Sequence, residues 1–248
     1  MPQAADLNHL LLARSRLDAA IIDLDGTLVD TLGDFVAALN LMLQELAGRA
    51  GSGVPKDQVL TTRTIEAMVG KGSEHLVLSV LRHVLKADSA HAGRVTALYP
   101  AAMNLYQQHY RQINGRFSSL YPGVAEGLAA LDATGLRLAC LTNKPLAFAQ
   151  DLLQAKGLAG YFSHVYGGDS FERKKPDPLP LLKTCEALGT PPARTLMVGD
   201  SSNDAEAARA AQCPVVLVTY GYNHGKPIRG VDADGWIDSL AELPRLWA

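Results

Sequence analysis

The segment Asp23-Leu24-Asp25-Gly26-Thr27-Leu28 follows directly on the apolar run Ala19-Ala20-Ile21-Ile22. A continuous apolar run of this kind is typical of a strand buried on both faces of a parallel sheet. In open α/β sheets, ligands bind outside the carboxyl ends of the strands, and Asp23 stands at such an end. Side chains two positions apart on an extended chain point the same way, so Asp23 and Asp25 can face one site. An ordinary Asp-Gly turn with two solvated carboxylates would have the same sequence.

Further short apolar runs extend this pattern along the chain. They are 136–141, His164–Tyr166, 195–198, Val215–Val218 and, as a late edge strand, Gly235–Ile237. Helical patterns separate several of these runs and end near a glycine or a proline. They span 145–156, 178–188 and 203–211. The alternation of strand and helix predicts an α/β fold with a doubly wound, Rossmann-like parallel sheet.

The long interval between the first apolar run and residue 136 breaks this alternation, because a crossover helix needs far fewer residues. Its apolar spacing predicts helices and no strand. The predicted helices span 34–46, 56–68, 73–85 and 94–112, the last with a kink at Pro100. We therefore expect an inserted α-helical cap over residues 33–115, with hinges near 31–33 and 113–119. The Rossmann-like core would then comprise residues 1–32 and 116–248.

Charge, cysteine content and hydropathy exclude several classes of protein. With 23 Lys and Arg residues against 25 Asp and Glu residues, the net charge of −2 lacks the basic excess of a nucleic-acid-binding protein. Cys140, Cys185 and Cys213 form no CxxC pair, which argues against a zinc site or a disulfide framework. We find no signal peptide and no apolar run near the length of a membrane span, so we expect a cytoplasmic protein without a membrane partner. Monomer and homodimer both stay open.

A second acidic motif, Gly199-Asp200-Ser201-Ser202-Asn203-Asp204, follows the predicted strand 195–198. With Asp23 and Asp25, it would place three or four carboxylates at one edge of the sheet. Such carboxylates raise one another's pKa unless a cation is present. Oxygen ligands without a His or Cys cluster suit Mg²⁺. Capping of a helix N-terminus by an acidic side chain is the ordinary alternative for Asp204.

Two further segments can bind an anion beside these carboxylates. Thr142 and Asn143 follow the predicted strand 136–141 and offer a hydroxyl, an amide and backbone N–H groups to phosphoryl oxygens. An N-cap for the helix that begins near Pro145 is the alternative for this pair. In Lys174-Lys175-Pro176-Asp177-Pro178, a fixed ammonium would neutralise a transferring phosphoryl group. A solvated basic turn is the alternative there.

The order and content of these four motifs resemble the haloacid dehalogenase superfamily of aspartate-nucleophile phosphatases, over nearly the whole chain from Leu17 onward. The resemblance implies that Asp23 is the nucleophile that forms an aspartyl-phosphate, and that Asp25 is the general acid and base. It implies that Thr142 and Lys175 hold the phosphoryl group. It also implies a set of Mg²⁺ ligands, namely Asp23, the Asp25 backbone carbonyl and Asp200, with Asp204 supporting them.

Within this superfamily, the chain most resembles the phosphoglycolate phosphatases through weaker segments at 69–72, 121–124, 167–170 and 219–223. That resemblance implies a small phosphorylated metabolite, 2-phosphoglycolate, as the substrate. In the expected cap, Gly70-Lys71-Gly72 is a predicted loop whose glycines let the backbone approach a ligand closely. Lys71 can pair there with a substrate carboxylate, or it can be an ordinary solvated lysine.

The sequence leaves other functions open. A related cap-bearing phosphatase or a phosphomutase would use the same nucleophile on a sugar phosphate or another small monoester. A dehalogenase is disfavoured, because Asp25 supplies the acid and base that phosphoryl chemistry needs. A signalling module that carries phospho-aspartate as a regulatory mark belongs to a different class. Such a module would lack the inserted cap and the Lys-Pro-Asp-Pro element.

Overall fold

The computed structural model describes residues 17–86 and 92–246. Its strands are β1 (Ala19–Ile22), β2 (Val29–Asp30), β3 (Ser119–Leu120), β4 (Arg137–Leu141), β5 (His164–Tyr166), β6 (Thr195–Gly199), β7 (Val215–Val218) and β8 (Gly235–Ile237). Six of them form one sheet in the order β5-β4-β1-β6-β7-β8, and every pairing in it is parallel. The chain therefore builds outward from β1 in both directions, which confirms the predicted doubly wound α/β fold.

Helices cover both faces of this sheet and form an additional layer above one edge. They are α1 (Leu32–Ala47), α2 (Thr62–Glu66), α3 (Ser73–Val84), α4 (Ala92–Ile113), α5 (Val124–Ala133), α6 (Leu146–Ala155), α7 (Leu179–Leu188) and α8 (Ser202–Ala211). Short 3-10 turns lie at Ala159–Tyr161, Pro192–Arg194, Asn223–Gly225, Ile228–Gly230 and Leu240–Leu246. Helix α5 was not predicted, whereas α6, α7 and α8 begin and end within one residue of their predicted bounds.

The central strand shows why the sheet is apolar at successive positions. Ala20 and Ile22 belong to the hydrophobic cluster that includes residues of α5 and α6. Ala19 and Ile21 belong to the cluster on the other face, with residues of α7 and α8. All four side chains are fully buried. Because both faces of β1 are covered, alternation with polar residues would place unpaired polar groups in the core.

Helices α1 to α4, which we call the helical layer, have a hydrophobic core of their own. Its fully buried members include Leu39, Met42, Val77, Val80 and Tyr106. Phe148 of α6 and Tyr222, which follows β7, also pack into this core, so the helical layer lies against the sheet assembly. The predicted helices at 34–46, 73–85 and 94–112 are confirmed within two residues, and α4 continues through Pro100.

The predicted helix over 56–68 is wrong, because only Thr62–Glu66 is helical there. The Asn40 side chain holds Leu60 in place by donating to its carbonyl at 3.1 Å and accepting from its N–H at 2.8 Å. Thr61 then begins the short helix as its N-cap, with its side chain accepting from the Thr64 N–H. Backbone groups that bond to Asn40 cannot also join an α-helix that starts at residue 56.

The expectation that this interval contains no strand is also wrong. β2 and β3 form an antiparallel pair in which Val29 lies opposite Leu120 and Asp30 lies opposite Ser119. The chain leaves the sheet assembly before α1, which starts at Leu32, and returns to it after α4, which ends at Ile113. β2 and β3 pair with each other at these two connections. Two residues per strand are too few to produce an apolar alternation in the sequence.

The remaining sequence expectations concern cysteine and membrane segments. Cys140, Cys185 and Cys213 are buried free thiols. Within residues 17–86 and 92–246, no helix has the length and apolar character needed to cross a bilayer.

Candidate active site

The carboxyl ends of three neighbouring strands meet at one cavity. Asp23 follows β1, Thr142 follows β4 and Asp200 follows β6, and β1 lies between the other two strands. All three side chains are buried. Of the residues selected from the sequence, the cavity is lined by Asp23, Asp25, Thr142, Asn143, Lys175, Asp200 and Asp204. The helical layer closes its other side with Phe35, Leu76, Tyr106 and Tyr110.

Lys175 is held between two carboxylates at the bottom of the cavity. Its Nζ lies 2.8 Å from Asp23 Oδ1 and 2.6 Å from Asp204 Oδ1, and it donates to the Leu141 carbonyl at 2.8 Å. Burial alone would lower the pKa of Lys175, but the two carboxylates raise it above its ordinary value. The ammonium is therefore a fixed positive charge beside Asp23.

Lys175 alone does not offset the burial and mutual repulsion of the neighbouring carboxyl groups. Burial, opposed by Lys175, raises the pKa of Asp23 from 3.8 to about 7. Burial together with Asp204 and Asp23 raises the pKa of Asp200 well above its ordinary value. Asp23, Asp200 and Asp204 each have one carboxylate oxygen within 4.8 Å of the other two. A divalent cation with oxygen ligands fits this donor set, and Mg²⁺ suits it by the hardness of the ligands.

Two glycines and a backbone N–H hold Asp200 closely in place. A Cβ on Gly26 would lie 2.3 Å from Asp200 Oδ2, and a Cβ on Gly221 would lie 2.1 Å from Asp200 Cβ. Gly26 also has a φ of +87°, which favours glycine. The Tyr222 N–H donates to Asp200 Oδ2 at 2.7 Å. The Asp-Gly turn after β1 therefore packs directly on the second acidic motif and is not a solvated turn.

Asp204 combines the two roles that the sequence left open. Its Oδ2 accepts hydrogen bonds from the Ser201 N–H at 3.2 Å and the Ser201 hydroxyl at 2.8 Å, at the N-terminus of α8. Its Oδ1 accepts from Lys175. The capping contact fixes the carboxylate, and the other oxygen is then free to fix Lys175.

Lys144 is a site residue that the sequence analysis missed. Its side chain is 2% exposed, and its Nζ donates to Asp25 Oδ1 at 2.9 Å, to Asp25 Oδ2 at 3.2 Å and to the Tyr110 hydroxyl at 2.7 Å. Nζ also lies 4.7 Å from the centre of the Phe35 ring. The available signal was its position two residues beyond Thr142, the same spacing that relates Asp25 to Asp23.

Asn143 connects the sheet assembly to the helical layer instead of facing the cavity alone. Its amide donates to the Gly70 carbonyl at 3.0 Å and to the Lys175 carbonyl at 2.8 Å. Asn203 donates to the same Gly70 carbonyl at 3.0 Å. Lys71 is exposed and does not line the cavity, although Gly70 and Gly72 do. Its contact with a substrate stays a prediction.

The weaker sequence segments support the loops that carry the site. The Gly168 N–H donates to the Lys144 carbonyl at 2.8 Å, and Asp169 Oδ1 accepts from the Leu146 N–H at 2.8 Å. Tyr222 donates its hydroxyl to Asp30 Oδ1 at 2.9 Å. The segment 167–170 thus supports the loop before α6. The segment 219–223 connects Asp200 to strand β2 through Tyr222.

Comparison with known proteins agrees with this architecture. A family model described as haloacid dehalogenase-like hydrolase matches residues 17–212. Phosphoglycolate phosphatase from Thiobacillus denitrificans is 43% identical, over 91% of this chain and 93% of its own length. The enzyme of that name from Nitrosospira multiformis is 45% identical, over 93% of this chain and 95% of its own length.

Solved structures give the same result. A protein from Haemophilus somnus described as a predicted phosphoglycolate phosphatase has a TM-score of 0.83 and 31% identity, covering 94% of this chain and 99% of that chain. CbbY from Rhodobacter sphaeroides, solved with xylulose 1,5-bisphosphate, has a TM-score of 0.70 and 25% identity, covering 92% of this chain and 96% of that chain. The fold and the site thus define a class of hydrolases in which a helical layer covers the strand ends of a parallel sheet. The chain belongs to the haloacid dehalogenase-like hydrolases.

Proposed function

We propose that this protein hydrolyses a small phosphomonoester through an aspartyl-phosphate on Asp23, and that the monoester is 2-phosphoglycolate. One observation carries the proposal. Asp23 lies against the buried ammonium of Lys175, while Asp25, two residues later, is bonded to a second buried ammonium in the same cavity. A carboxylate that attacks phosphorus and a carboxylate that handles the leaving-group proton need these two separate environments.

Asp23 and Asp25 divide the chemistry between them. Asp23 attacks phosphorus with a carboxylate oxygen, and the bond from phosphorus to the substrate's leaving oxygen breaks. Asp25 gives its proton to that oxygen and then removes a proton from the water that attacks the aspartyl-phosphate. The bond between phosphorus and the Asp23 oxygen then breaks, which restores the aspartate and releases phosphate.

The phosphoryl group is bound in this proposal by Thr142 and Lys175, with Asn143 in support. The Thr142 side chain is 2% exposed and lines the cavity beside Asp23. Its hydroxyl and the fixed Lys175 ammonium stabilise phosphoryl oxygens whose charge is distributed during transfer. Asn143 contributes mainly by fixing the Lys175 carbonyl and the Gly70 carbonyl in one arrangement.

Bound Mg²⁺ would complete the charge balance of the proposed site. Asp23, the Asp25 backbone carbonyl and Asp200 would hold it, and Asp204 would support them through its contacts with Lys175 and Ser201. When bound, Mg²⁺ polarises phosphoryl oxygens and shields the approach of an anionic nucleophile to an anionic phosphate. Asp200 supplies a ligand that Gly26, Gly221 and the Tyr222 N–H hold in position.

Residues 33–115 act in this proposal as a cap that covers the leaving group, and residues 1–32 and 116–248 form the catalytic core. Within these ranges, residues 1–16, 87–91, 247 and 248 lie outside the described part of the chain. Three relatives more than 40% identical to this chain are phosphoglycolate phosphatases. A reducing cytoplasm suits the three free thiols.

A sugar-phosphate phosphatase or phosphomutase is the second candidate, because CbbY was solved with a sugar bisphosphate. A panel of monoesters separates the two. Phosphate release should be fastest with 2-phosphoglycolate and should require Mg²⁺. Faster release from a sugar phosphate, or conversion of that sugar phosphate into an isomer without phosphate release, would favour the second candidate. Full activity after thorough chelation would contradict the metal assignment.

A further inference from the structure

Lys144 is one of two cationic side chains among the described residues that line the cavity, and the other is Lys175. Lys175 already bridges Asp23 and Asp204, on the side of the nucleophile. Lys144 lies on the other side, between Asp25 and Tyr110. The two ammonium groups therefore lie in different parts of the cavity.

The proposed chemistry places the leaving group beside Lys144. Attack by Asp23 requires the leaving oxygen to lie roughly in line, on the opposite side of phosphorus. Asp25 must reach that oxygen to protonate it. Because Lys144 contacts both oxygens of Asp25 at 2.9 and 3.2 Å, its ammonium lies next to the atoms attached to the leaving oxygen.

Lys144 can also bind a further anion by exchanging one of its contacts. An ammonium carries three N–H donors, and Nζ donates to both oxygens of Asp25 and to the Tyr110 hydroxyl. The contact with Asp25 Oδ2, at 3.2 Å, is the longest of the three, and an incoming carboxylate would replace it. Nζ lies 4.7 Å from the centre of the Phe35 ring and 4.8 Å from that of the Tyr110 ring, positions in which aromatic faces stabilise a cation. Burial raises the pKa of Tyr110 well above its ordinary value, so the phenol that accepts from Lys144 stays neutral.

We propose that Lys144 binds a carboxylate on the leaving group and thereby selects anionic monoesters over neutral ones. This inference rests on the proposed function and assigns its substrate specificity to one residue. A carboxylate one carbon away from the leaving oxygen, as in 2-phosphoglycolate, would be removed from water under the helical layer. Such a desolvated carboxylate needs a buried cation as partner. Exposed Lys71 does not provide one.

The test compares two substrates that differ at the carboxylate. In 2-hydroxyethyl phosphate, a neutral hydroxymethyl group replaces the carboxylate of 2-phosphoglycolate, and the phosphoryl group is unchanged. The ratio of their kcat/KM values cancels any damage to Asp25 that both reactions share. Lys144→Met should lower this ratio about 10- to 100-fold, the equivalent of one charge-assisted hydrogen bond. Lys144→Arg, which keeps the charge, should retain most of it.

Two further lysine variants complete the comparison. Lys183→Met is the control, because it removes an exposed lysine of α7 that pairs with Glu186. The ratio of kcat/KM values should not change in this variant. Lys71→Met tests the alternative carboxylate partner. The proposal would be overturned if Lys71→Met lowered the ratio of kcat/KM values and Lys144→Met left it unchanged. Equal losses on both substrates in Lys144→Met would also overturn it, because the residue would then act only by positioning Asp25.

Binding without turnover provides a second measurement. In an Asp23→Asn background, calorimetry should show that Lys144→Met weakens 2-phosphoglycolate binding about 10-fold or more and leaves 2-hydroxyethyl phosphate binding nearly unchanged. Circular dichroism identifies variants that fail to fold, and Lys144→Gln then replaces Lys144→Met. A wild-type preference that survives every Lys144 variant overturns this inference alone. A wild-type protein with no preference for 2-phosphoglycolate overturns the proposed substrate as well.

Discussion

At the scale of single residues, the site is a set of buried charges whose protonation depends on their neighbours. Asp23 is 7% exposed, and its pKa rises to about 7 because burial outweighs the attraction of Lys175. Lys175 keeps its proton because two carboxylates face it. Removing one member therefore changes the charge of the others as well as removing a functional group.

Asp23→Asn should lower kcat at least about 10³-fold, because an amide is a poor nucleophile and a weaker metal ligand. The metal-free protein should keep its Tm within a few degrees, since Asp204 still pairs with Lys175. Steady-state kinetics and calorimetry measure the two quantities. Asp132→Asn, at an exposed position of α5, is the matched control. Near wild-type turnover in Asp23→Asn would exclude covalent catalysis by this residue.

The residues found from the sequence and the one missed differ in how local their signals are. Asp23, Asp25, Thr142 and Asp200 directly follow apolar strands, so their convergence follows from the topology of a parallel sheet. Lys144 also follows a strand, but its partner Asp25 lies 119 positions away and its Tyr110 contact comes from the helical layer. A buried lysine and a solvated lysine look alike until such long-range partners are known.

At the scale of elements, the turn that follows β1 packs directly against the second acidic motif. Gly26 packs against Asp200 with a positive φ, and its N–H donates to the Val29 carbonyl at 2.9 Å. The turn thus sets both the start of β2 and the position of a proposed metal ligand.

Gly26→Ala should displace Asp200 and lower kcat/KM about 100-fold, because a new Cβ would lie 2.3 Å from Asp200 Oδ2. Gly135→Ala is the control. Gly135 also has a positive φ, +76°, but a Cβ there meets no atom within 4 Å. Both variants should lose about 1–2 kcal/mol of stability from the backbone strain. Equal activity in the two variants, measured with saturating Mg²⁺, would contradict the close fit around Asp200.

The elements that the sequence predicted are those with long apolar patterns. Strands buried on both faces and most helices of ten or more residues were identified, whereas the ten-residue helix α5 and the two-residue strands β2 and β3 were not. The overlong helix at 56–68 failed because the Asn40 side chain holds the backbone of Leu60 outside a helix. Contacts of this kind join residues 20 positions apart and leave no periodic signal.

At the scale of the whole molecule, folding collects acidic groups at one sheet edge even though the net charge is only −2. The folded-state pKa of Asp23 lies above its ordinary value of 3.8, and the same direction holds for Asp200. Between that value and about pH 7, these two groups therefore bind more protons in the folded metal-free protein than in the unfolded chain. Their contribution to stability falls as the pH rises through this range.

Added Mg²⁺ should raise Tm more at about pH 8 than at about pH 5.5, because ionised carboxylates bind the metal and protonated ones do not. A difference of several degrees is expected, since 1 kcal/mol corresponds to about 2–4 °C for a chain of this size. Differential scanning calorimetry with EDTA or excess Mg²⁺ measures it. Asp200→Asn should reduce the difference. Equal shifts at both pH values would show that these carboxylates are not the metal ligands.

The central claim is that Asp23 becomes phosphorylated during turnover. Rapid acid quench of the protein with 2-phosphoglycolate and Mg²⁺, followed by peptide mass spectrometry, tests this directly. We predict phosphate on the peptide that contains Asp23, none in Asp23→Asn, and a larger amount in Asp25→Asn, where removal of the proton from water is slow. Hydrolysis of 2-phosphoglycolate at the wild-type rate without any phosphate on Asp23 would contradict the account.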